Sequence, residues 1–369
     1  MSALTVITPA VSPAVSAAVS FGVTIALTPL LIALSIRFRI FDPPGPLKIH
    51  SRPVSRIGGA ALMLGFLAGV LASGQRLPDL FGFAFLALVM LWLVGFLDDL
   101  FELPVIVRFG VQIAAALLLW LAGWRLPVAD SGWISCLALT FFCLVFVNAF
   151  NFLDGADGLA PSVALAIALG FSAAFCRISG PPSPGPAIAA GVAGACAAFL
   201  AFNFPPARIF LGDSGSTLLG FVFALLSLEF YRTAGAGLID DPGLSLLSAR
   251  HATTAIFFPV LVSLLPLLDF GFAVFRRLRL GASPFAGDRR HFYDLLLARG
   301  WAARHMAVGC AGITVALAAL GCMALRMDWN EAAGLFFWTV ALLGMAAGWL
   351  GAARSEDREV RGSGARQPR

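Results

Sequence analysis

Long apolar segments recur along the chain, and they restrict its fold more than any other feature of the sequence. About eleven segments approach the roughly 20 mostly apolar residues with which a helix crosses a bilayer. They cover about residues 14–36, 57–73, 80–97, 108–123, 132–149, 160–178, 186–203, 214–231, 252–275, 305–325 and 331–352. With 59% hydrophobic and 12% charged residues, a soluble domain could not bury this apolar surface. The sequence predicts an all-α integral membrane protein, a polytopic bundle of about 10–11 helices in which two short segments could instead be re-entrant.

The sequence predicts a single membrane domain over residues 1–352. Residues 353–369 are polar and Gly-rich without a hydrophobic period, which predicts a disordered cytoplasmic tail. The first thirteen residues carry no basic side chain, so we expect the first helix to be retained as an anchor. The chain shows no convincing internal repeat, which counts against a transporter built from two related halves.

Basic residues are distributed unevenly between the two sides of the predicted bundle. With the N-terminus outside, the cytoplasmic segments are the C-terminal tail and the loops that begin near residues 37, 98, 150, 204 and 276. Under this topology 19 of the 25 Lys and Arg residues lie inside, as the positive-inside rule requires. The net charge of +5 thus reflects topology and contact with anionic membrane lipids, and no nucleic-acid partner is expected.

Five polar stretches interrupt or border the helices, and this topology places all five on the cytoplasmic side. In GFLDDLFELP, the adjacent carboxylates Asp98 and Asp99 repel each other unless a cation neutralises them. Two acids hydrated at the membrane interface are the alternative interpretation.

The stretch NAFNFLDGADGLAP is the densest group of polar residues between apolar segments. Asn148, Asn151 and Asp154 are spaced three apart and share one helical face, and Asp157 follows them. Such oxygen-rich side chains suit Mg²⁺, which is usually shared with substrate phosphates. Helix capping would explain one of the aspartates but not the whole group.

The stretch AFNFPPARIFLGDSGS combines an amide, an aromatic ring and a carboxylate. Asn203 precedes a Pro-Pro turn, Phe210 offers an aromatic face, and Asp213 lies where the next helix starts. The carboxylate and hydroxyls there could cap the helix or hold a metal.

Two further stretches supply cations. DPPGPLKIHSRPVSRIGG contains Lys48, the only lysine of the chain, which suggests a phosphate contact as readily as a solvated loop residue. SPFAGDRRHFYDLLLARGW contains Arg289, Arg290 and His291 in succession. Arginine binds phosphate oxygens bidentately, and histidine can donate to a diphosphate or transfer a proton. Together the five stretches indicate an enzyme that handles a nucleotide diphosphate.

In this order, DPPGPLKIH, GFLDDL, NAFNFLDGADGLA, FNFPPARIFLGDSGS and DRRHFYDLLLARGW resemble the motifs of the polyprenyl-phosphate N-acetylhexosamine-1-phosphate transferases, glycosyl transferase family 4. The resemblance implies that a UDP-sugar and a polyprenyl phosphate such as undecaprenyl phosphate give a sugar diphosphoryl polyprenol and UMP. It implies Mg²⁺, with Mn²⁺ as a substitute, and a cytoplasmic site in the bacterial inner membrane. Such a reaction would initiate lipid-linked cell-wall or surface polysaccharides, for example the O-antigen of lipopolysaccharide.

The resemblance also implies roles for individual residues. Asp213 would bind Mg²⁺, Asp157 would bind uracil, and Phe210 would stack on it. The catalytic residues would be Asp98, Asp99, Asp154 and His291, with one of the aspartate pair as a candidate base for the lipid phosphate. The other substrate-binding residues would be Lys48, Asn148, Asn151, Asn203, Arg289 and Arg290.

Two departures from the family pattern leave some roles open. Many relatives carry several histidines in the last loop, where this chain has Arg289, Arg290 and a single His291. Some carry a basic residue shortly after the aspartate pair, where this chain has Phe101 and Glu102. The sugar could be N-acetylglucosamine or a modified N-acetylhexosamine, and the altered last loop counts against a muramoyl-pentapeptide substrate.

Other interpretations stay open at this point. A secondary transporter or flippase of lipid-linked sugars would also carry intramembrane acids, although it would place them nearer the bilayer midplane. An assembly protein that only binds a lipid-linked sugar would bind uridine nucleotides without turnover. The transfer could follow a direct route or one through a phosphorylated aspartate, and the chain could form a homodimer.

Overall fold

The computed structural model describes residues 12–42, 53–74, 82–126, 132–178, 183–236, 254–283 and 290–364, and these residues form thirteen helices. In chain order the first seven are α1 (Pro13–Phe38), α2 (Gly58–Ala72), α3 (Phe83–Phe101), α4 (Val105–Leu121), α5 (Gly132–Leu153), α6 (Leu159–Phe175) and α7 (Gly185–Asn203). The other six are α8 (Gly212–Ala236), α9 (Phe257–Val262), α10 (Leu264–Arg279), α11 (Phe292–Ala298), α12 (Ala303–Ala324) and α13 (Trp329–Gly364). Two short strands, β1 (Phe41–Asp42) and β2 (Val54–Ser55), pair antiparallel.

The predicted polytopic helical bundle is confirmed. Within the described residues, seven helices are long and apolar enough to cross a membrane, and three shorter apolar helices, α2, α4 and α6, accompany them. Each predicted apolar segment coincides with a helix, except that the segment at 252–275 is divided at Ser263 into α9 and α10. The short helix α11 in the last loop was not predicted from the sequence.

The C-terminal region differs from the sequence prediction in its helix boundary. The sequence predicts that the membrane domain ends at residue 352 and that disorder follows. In the structure α13 extends to Gly364, so the backbone is helical over part of the tail that the sequence predicts to be disordered.

The first helix buries hydroxyl side chains and exposes its apolar ones. The buried residues of α1 are Ser16, Ser20, Thr24, Thr28 and Ser35. These small side chains face α2 and α7, where a Cβ atom added at Gly65 would overlap the hydroxyl of Thr24. Without a hydrophobic driving force between helices in lipid, small residues that allow close backbone approach favour association. The helix therefore turns its apolar face towards lipid.

Helix α8 is the centre of the bundle and carries the GDSGS turn at its start. In the 18-residue stretch of α8 that is apolar enough to cross a membrane, 94% of the residues are buried. The helix packs against α2, α3 and α5. The segment before α8 is bound to the chain around β2: Phe210 N–H donates to Ser55 O at 2.7 Å, and Gly59 N–H donates to Leu211 O at 2.8 Å. These backbone bonds fix the position of the turn.

Candidate active site

A group of charged and amide side chains surrounds Asp213 at the start of α8. One carboxylate oxygen of Asp213 accepts from Asn151 Nδ2 at 2.9 Å, and the other accepts from Arg108 Nη1 at 2.7 Å. The same Arg108 nitrogen donates to Asp98 Oδ2, also at 2.7 Å. Helices α3, α4, α5 and α8 thus each contribute one side chain, and the guanidinium of Arg108 neutralises two carboxylates at once.

Asp99 has different partners from its neighbour Asp98. Its Oδ1 accepts from Asp213 N–H at 2.7 Å, and its Oδ2 accepts from Ser214 N–H at 3.1 Å and Ser214 Oγ at 2.7 Å. The first N–H groups of a helix have no partner within that helix, and a carboxylate there also interacts favourably with the helix dipole. Asp99 therefore caps α8 from another helix and positions the backbone of Asp213.

Asp154 lies just after α5 ends and faces the same turn. Burial, repulsion from Asp213 and repulsion from Asp99 raise the pKa of Asp154 well above its ordinary value of 3.8, while a hydrogen bond from Gly212 N–H lowers it. Gly212 has φ +74°, and a Cβ atom there would lie 2.5 Å from Arg56 O and 2.6 Å from Asp99 Oδ1. Only glycine fits this turn, and the acidic side chains lie close together around the N-terminus of α8.

An apolar cavity of ≈ 540 Å³ opens beside these polar groups. Its polar lining includes Arg108, Gln112, Asn148, Asn151 and Asp213, and Asn148 Nδ2 donates to Gln112 Oε1 at 2.8 Å. The rest of the wall is mainly apolar and comes from α3, α4, α5 and α10: Val94, Val105, Phe109, Phe141, Leu144, Val145, Phe152, Phe270, Val274, Phe275 and Leu278. The cavity therefore combines a charged end with a long apolar wall.

Asp157, Asn203 and Phe210 lie in two loops that brace each other. Asp157 Oδ2 accepts from Ala207 N–H at 2.9 Å. Asn203 is 2% exposed; its Oδ1 accepts from Gly158 N–H at 3.0 Å and its Nδ2 donates to Ile209 O at 2.8 Å. Asn203 therefore holds the loops together, while Asp157 and Phe210 are half-buried in them.

The predicted basic residues are only partly described. Lys48 and Arg289 lie outside the described residues, and Arg290 is exposed. His291 is 5% exposed and does not line the cavity; its Nδ1 lies 2.6 Å from Asp269 Oδ2. The structure thus brings Asp98, Asn151 and Asp213 into one group, in which Asn151 contacts Asp213 directly and Arg108 joins Asp98 to Asp213, but it places His291 behind the cavity wall.

The donor set near Asp213 fits a divalent cation that is shared with a ligand. Within the described residues, no group of three or more His, Cys, Asp or Glu side chains could hold a metal ion. Mg²⁺ commonly uses one or two carboxylates together with waters and substrate phosphates. Asp213, whose side chain is 29% exposed and lines the cavity, could supply such a carboxylate.

Three residues of this region, Arg108, Gln112 and Asp269, were not predicted from the sequence to belong to the site. Arg108 was counted only as a basic residue on the cytoplasmic side. A signal was present, because Arg108 and Gln112 are four residues apart in an otherwise apolar helix and so share one face. Asp269 is likewise an isolated carboxylate in an apolar segment, which marks a functional position in a membrane helix.

The sequence has recognisable relatives. The model of glycosyl transferase family 4 matches residues 81–231. The decaprenyl-phosphate N-acetylglucosaminephosphotransferase of Mycolicibacterium smegmatis is 34% identical over 72% of this chain and 71% of its own length. The chain belongs to glycosyl transferase family 4. This membership confirms the family that the motifs predicted, and it favours a transferase over a transporter.

Other curated relatives resemble the chain over similar lengths. A probable undecaprenyl-phosphate N-acetylglucosaminyl 1-phosphate transferase of Bacillus subtilis is 30% identical over 74% of both chains. An undecaprenyl-phosphate α-N-acetylglucosaminyl 1-phosphate transferase of Yersinia pestis is 26% identical over 80% of this chain and 79% of its own. The region matched by the family model includes the aspartate pair, Asn151 and Asp213.

Proposed function

We propose that the protein transfers an N-acetylhexosamine-1-phosphate from a UDP-sugar to a polyprenyl phosphate, with release of UMP. The relatives are named for transfer of N-acetylglucosamine phosphate to decaprenyl or undecaprenyl phosphate. The N-terminus would lie outside and the site at the cytoplasmic face, where a soluble nucleotide sugar and a membrane-held lipid can meet. The product would begin a lipid-linked cell-wall or surface polysaccharide such as an O-antigen.

One observation carries the proposal: the charged group around Asp213 stands at the end of an apolar cavity. A polyprenyl phosphate has the same two parts, an anionic head and a long apolar chain. The cavity of ≈ 540 Å³ offers Arg108 to the head and the side chains of Phe141, Leu144 and Phe275 to the chain. Such an apolar wall counts against a transporter of a soluble polar solute, whereas a flippase of lipid-linked sugars differs from a transferase in releasing no UMP.

Arg108 is the group that we expect to bind the phosphate of the lipid. Its guanidinium is held by Asp98 Oδ2, which leaves other N–H groups of the fork for phosphate oxygens. A phosphate monoester has a second pKa of about 6, so the acceptor is largely dianionic at neutral pH. It therefore needs no aspartate as a base, and Asp98 would act by orienting Arg108.

The diphosphate of the donor would lie against Asp213 and Asn151. When bound, Mg²⁺ would neutralise charge on the diphosphate, and Asp213 would supply its protein ligand. Asn151 Nδ2, at 2.9 Å from Asp213 Oδ1, would orient that carboxylate. Asp157 and Phe210 would bind the uracil, and Lys48 and Arg289 would add positive charge near the phosphates.

The reaction that follows from this placement is a direct displacement. An oxygen of the lipid phosphate attacks the phosphorus that bears the sugar, a new P–O bond forms, and the bond to the UMP oxygen breaks. The residues position both substrates and neutralise their charges, which supplies most of the catalysis in phosphoryl transfer. In a two-step route, an aspartate would first accept the sugar phosphate and release one UMP per enzyme without lipid.

The test is UMP release by purified protein supplied with undecaprenyl phosphate, Mg²⁺ and a panel of UDP-sugars. Asp213→Asn keeps the size of the side chain but removes its charge, so we expect kcat to fall by at least ~100-fold. Asp328→Asn, an exposed carboxylate at the start of α13, is the matched control and should keep full activity. Wild-type protein that binds uridine nucleotides without releasing UMP would contradict the proposal.

A further inference from the structure

A buried pair of side chains, His291 and Asp269, joins the last cytoplasmic loop to α10. His291 Nδ1 lies 2.6 Å from Asp269 Oδ2, and Phe292 N–H donates to Asp269 Oδ1 at 3.1 Å. The two side chains are only 5% and 6% exposed. One carboxylate therefore fixes both the imidazole ring and the first turn of α11.

The imidazole packs against the cavity wall rather than reaching into the cavity. Its ring meets the edge of Phe152 at 5.3 Å between centroids and stacks on Tyr293 at 5.3 Å. Tyr293 Oη donates to Phe152 O at 3.1 Å, and a Cβ atom at Gly155 would overlap that hydroxyl. Phe152 itself lines the cavity, directly after Asn151. The loop is thus fastened to the end of α5.

Arg277 adds a third contact from the same face of α10 as Asp269. Its guanidinium carbon lies 4.7 Å from the centroid of the Phe152 ring, and the residue is 4% exposed. Phe152 is therefore enclosed by groups from α10 and α11. Any displacement of the His291 ring would change the packing of this one phenyl group at the cavity wall.

We infer that Asp269 is a positioning residue: through His291 and Phe292 it fixes the chain directly after Arg290, so that the Arg290 side chain can bind the anionic diphosphate of the donor. The buried His291 supports the loop and does not act as a proton donor to substrate. A carboxylate bound at Nδ1 fixes the tautomer and orientation of the ring. The inference rests on the proposed function for the identity of the donor, and the anchoring itself rests on the contacts alone.

The kinetic test compares Asp269→Asn, His291→Asn and the double variant in the UMP-release assay. Each single variant should raise KM for the UDP-sugar by about 10-fold, with kcat and KM for the lipid within threefold of wild type. The double variant should have a KM for the UDP-sugar no higher than that of the poorer single variant, because both substitutions remove the same contact between Asp269 and His291. A kcat loss above 100-fold with unchanged KM in His291→Asn would overturn the inference, as would effects that multiply.

Limited trypsin cleavage tests the anchor without any substrate. Freed from Asp269, the loop should be cut after Arg290 at least fivefold faster in Asp269→Asn than in wild type, with His291 as the new N-terminus. The matched control is Glu229→Gln, another buried and hydrogen-bonded carboxylate, which should leave this cleavage unchanged. Equal cleavage in wild type and Asp269→Asn would refute the anchor. If Asp269→Asn is cleaved faster but the wild-type protein releases no UMP, the anchor is supported and the proposed function is refuted.

Discussion

Two adjacent aspartates show how one residue step on a helix changes a carboxylate's role. Asp98 and Asp99 project about 100° apart on α3, because a helix has 3.6 residues per turn. Asp98 accordingly meets Arg108, whereas Asp99 meets the first N–H groups of α8. The sequence suggests an acidic pair with a shared task, but in the structure Asp98 holds Arg108 beside the cavity, whereas Asp99 supports the backbone of Asp213.

Asp154 should lower the stability of the protein in the absence of metal. Its pKa in the folded state is raised above 3.8 by burial and by nearby acids. Below that ordinary value the carboxyl is protonated in both states. As pH rises through the raised pKa, the unfolded state gives up its proton more readily, so folding loses stability. We therefore expect Asp154→Asn to raise the melting temperature of EDTA-treated protein at pH 7 by roughly 2–4 °C.

The pH dependence provides the check on this prediction. The difference in melting temperature between Asp154→Asn and wild type should grow as the pH is raised from 3.8 towards the raised pKa of the Asp154 carboxyl. The same substitution should lower the rate of UMP release, since a carboxylate that destabilises the fold can still be needed for activity. Asp328→Asn should shift neither quantity. An unchanged or lower melting temperature for Asp154→Asn at pH 7 would show that the carboxyl is not destabilised.

At the scale of elements, the sequence predicted helices well and their interruptions poorly. Runs such as 132–149 and 186–203 coincide with α5 and α7 because about 20 apolar residues in lipid leave only a helix as a solution. The break at Ser263 escaped prediction because the sequence from 257 to 275 is apolar on both sides of this serine, with Asp269 as its one charged residue. The short helix α11 escaped as well, since it spans only seven residues and the N–H groups at its start are bound by Asp294 of its own first turn and by the distant Asp269.

The candidate site could be predicted as a set of segments but not as a set of contacts. Asn151 and Asp213 were both predicted, and they are in direct contact across 62 positions of sequence. The sequence could not show that Asn203 joins two loops, because an asparagine before a turn can equally bind a substrate in a pocket or donate to and accept from neighbouring loops. Arg108 was overlooked since a basic residue at a membrane boundary has a sufficient topological explanation.

The N-terminus of α8 should not tolerate a side chain at its first residue. Gly212→Ala places a methyl group 2.6 Å from Asp99 Oδ1 at a φ of +74°, so the turn must move and carry Asp213 with it. We expect at least a 10-fold loss of kcat. The control is Gly235→Ala near the other end of the same helix, where nothing lies within 4 Å of the added atom. Full activity in Gly212→Ala would mean that the turn is not needed in this conformation.

Across the whole molecule, charged groups are buried near both ends of α8 but differ in their use. At the far end Glu229 is 2% exposed and is bound by Ser183 Oγ at 2.8 Å and by Arg232 at 3.0 Å. That carboxylate closes a structural contact and borders no described cavity. At the start of α8 the carboxylates of Asp98 and Asp213 share one arginine beside a cavity. Within the part of the chain that the structure describes, this difference places the candidate site at the start of α8, on one face of the molecule.

The orientation of this face in the membrane leads to the last prediction. Two exposed positions mark the opposite sides: Cys176 follows α6, and Arg208 lies in the loop before α8. If the excess of basic residues is cytoplasmic, Cys176 is outside and Arg208 inside. In a background without the other five cysteines, a membrane-impermeant maleimide should label Cys176 in intact cells. With Cys176 also replaced, Arg208→Cys should react only after permeabilisation. Labelling of Arg208→Cys in intact cells would reverse the topology and place the site outside, where no nucleotide sugar is supplied.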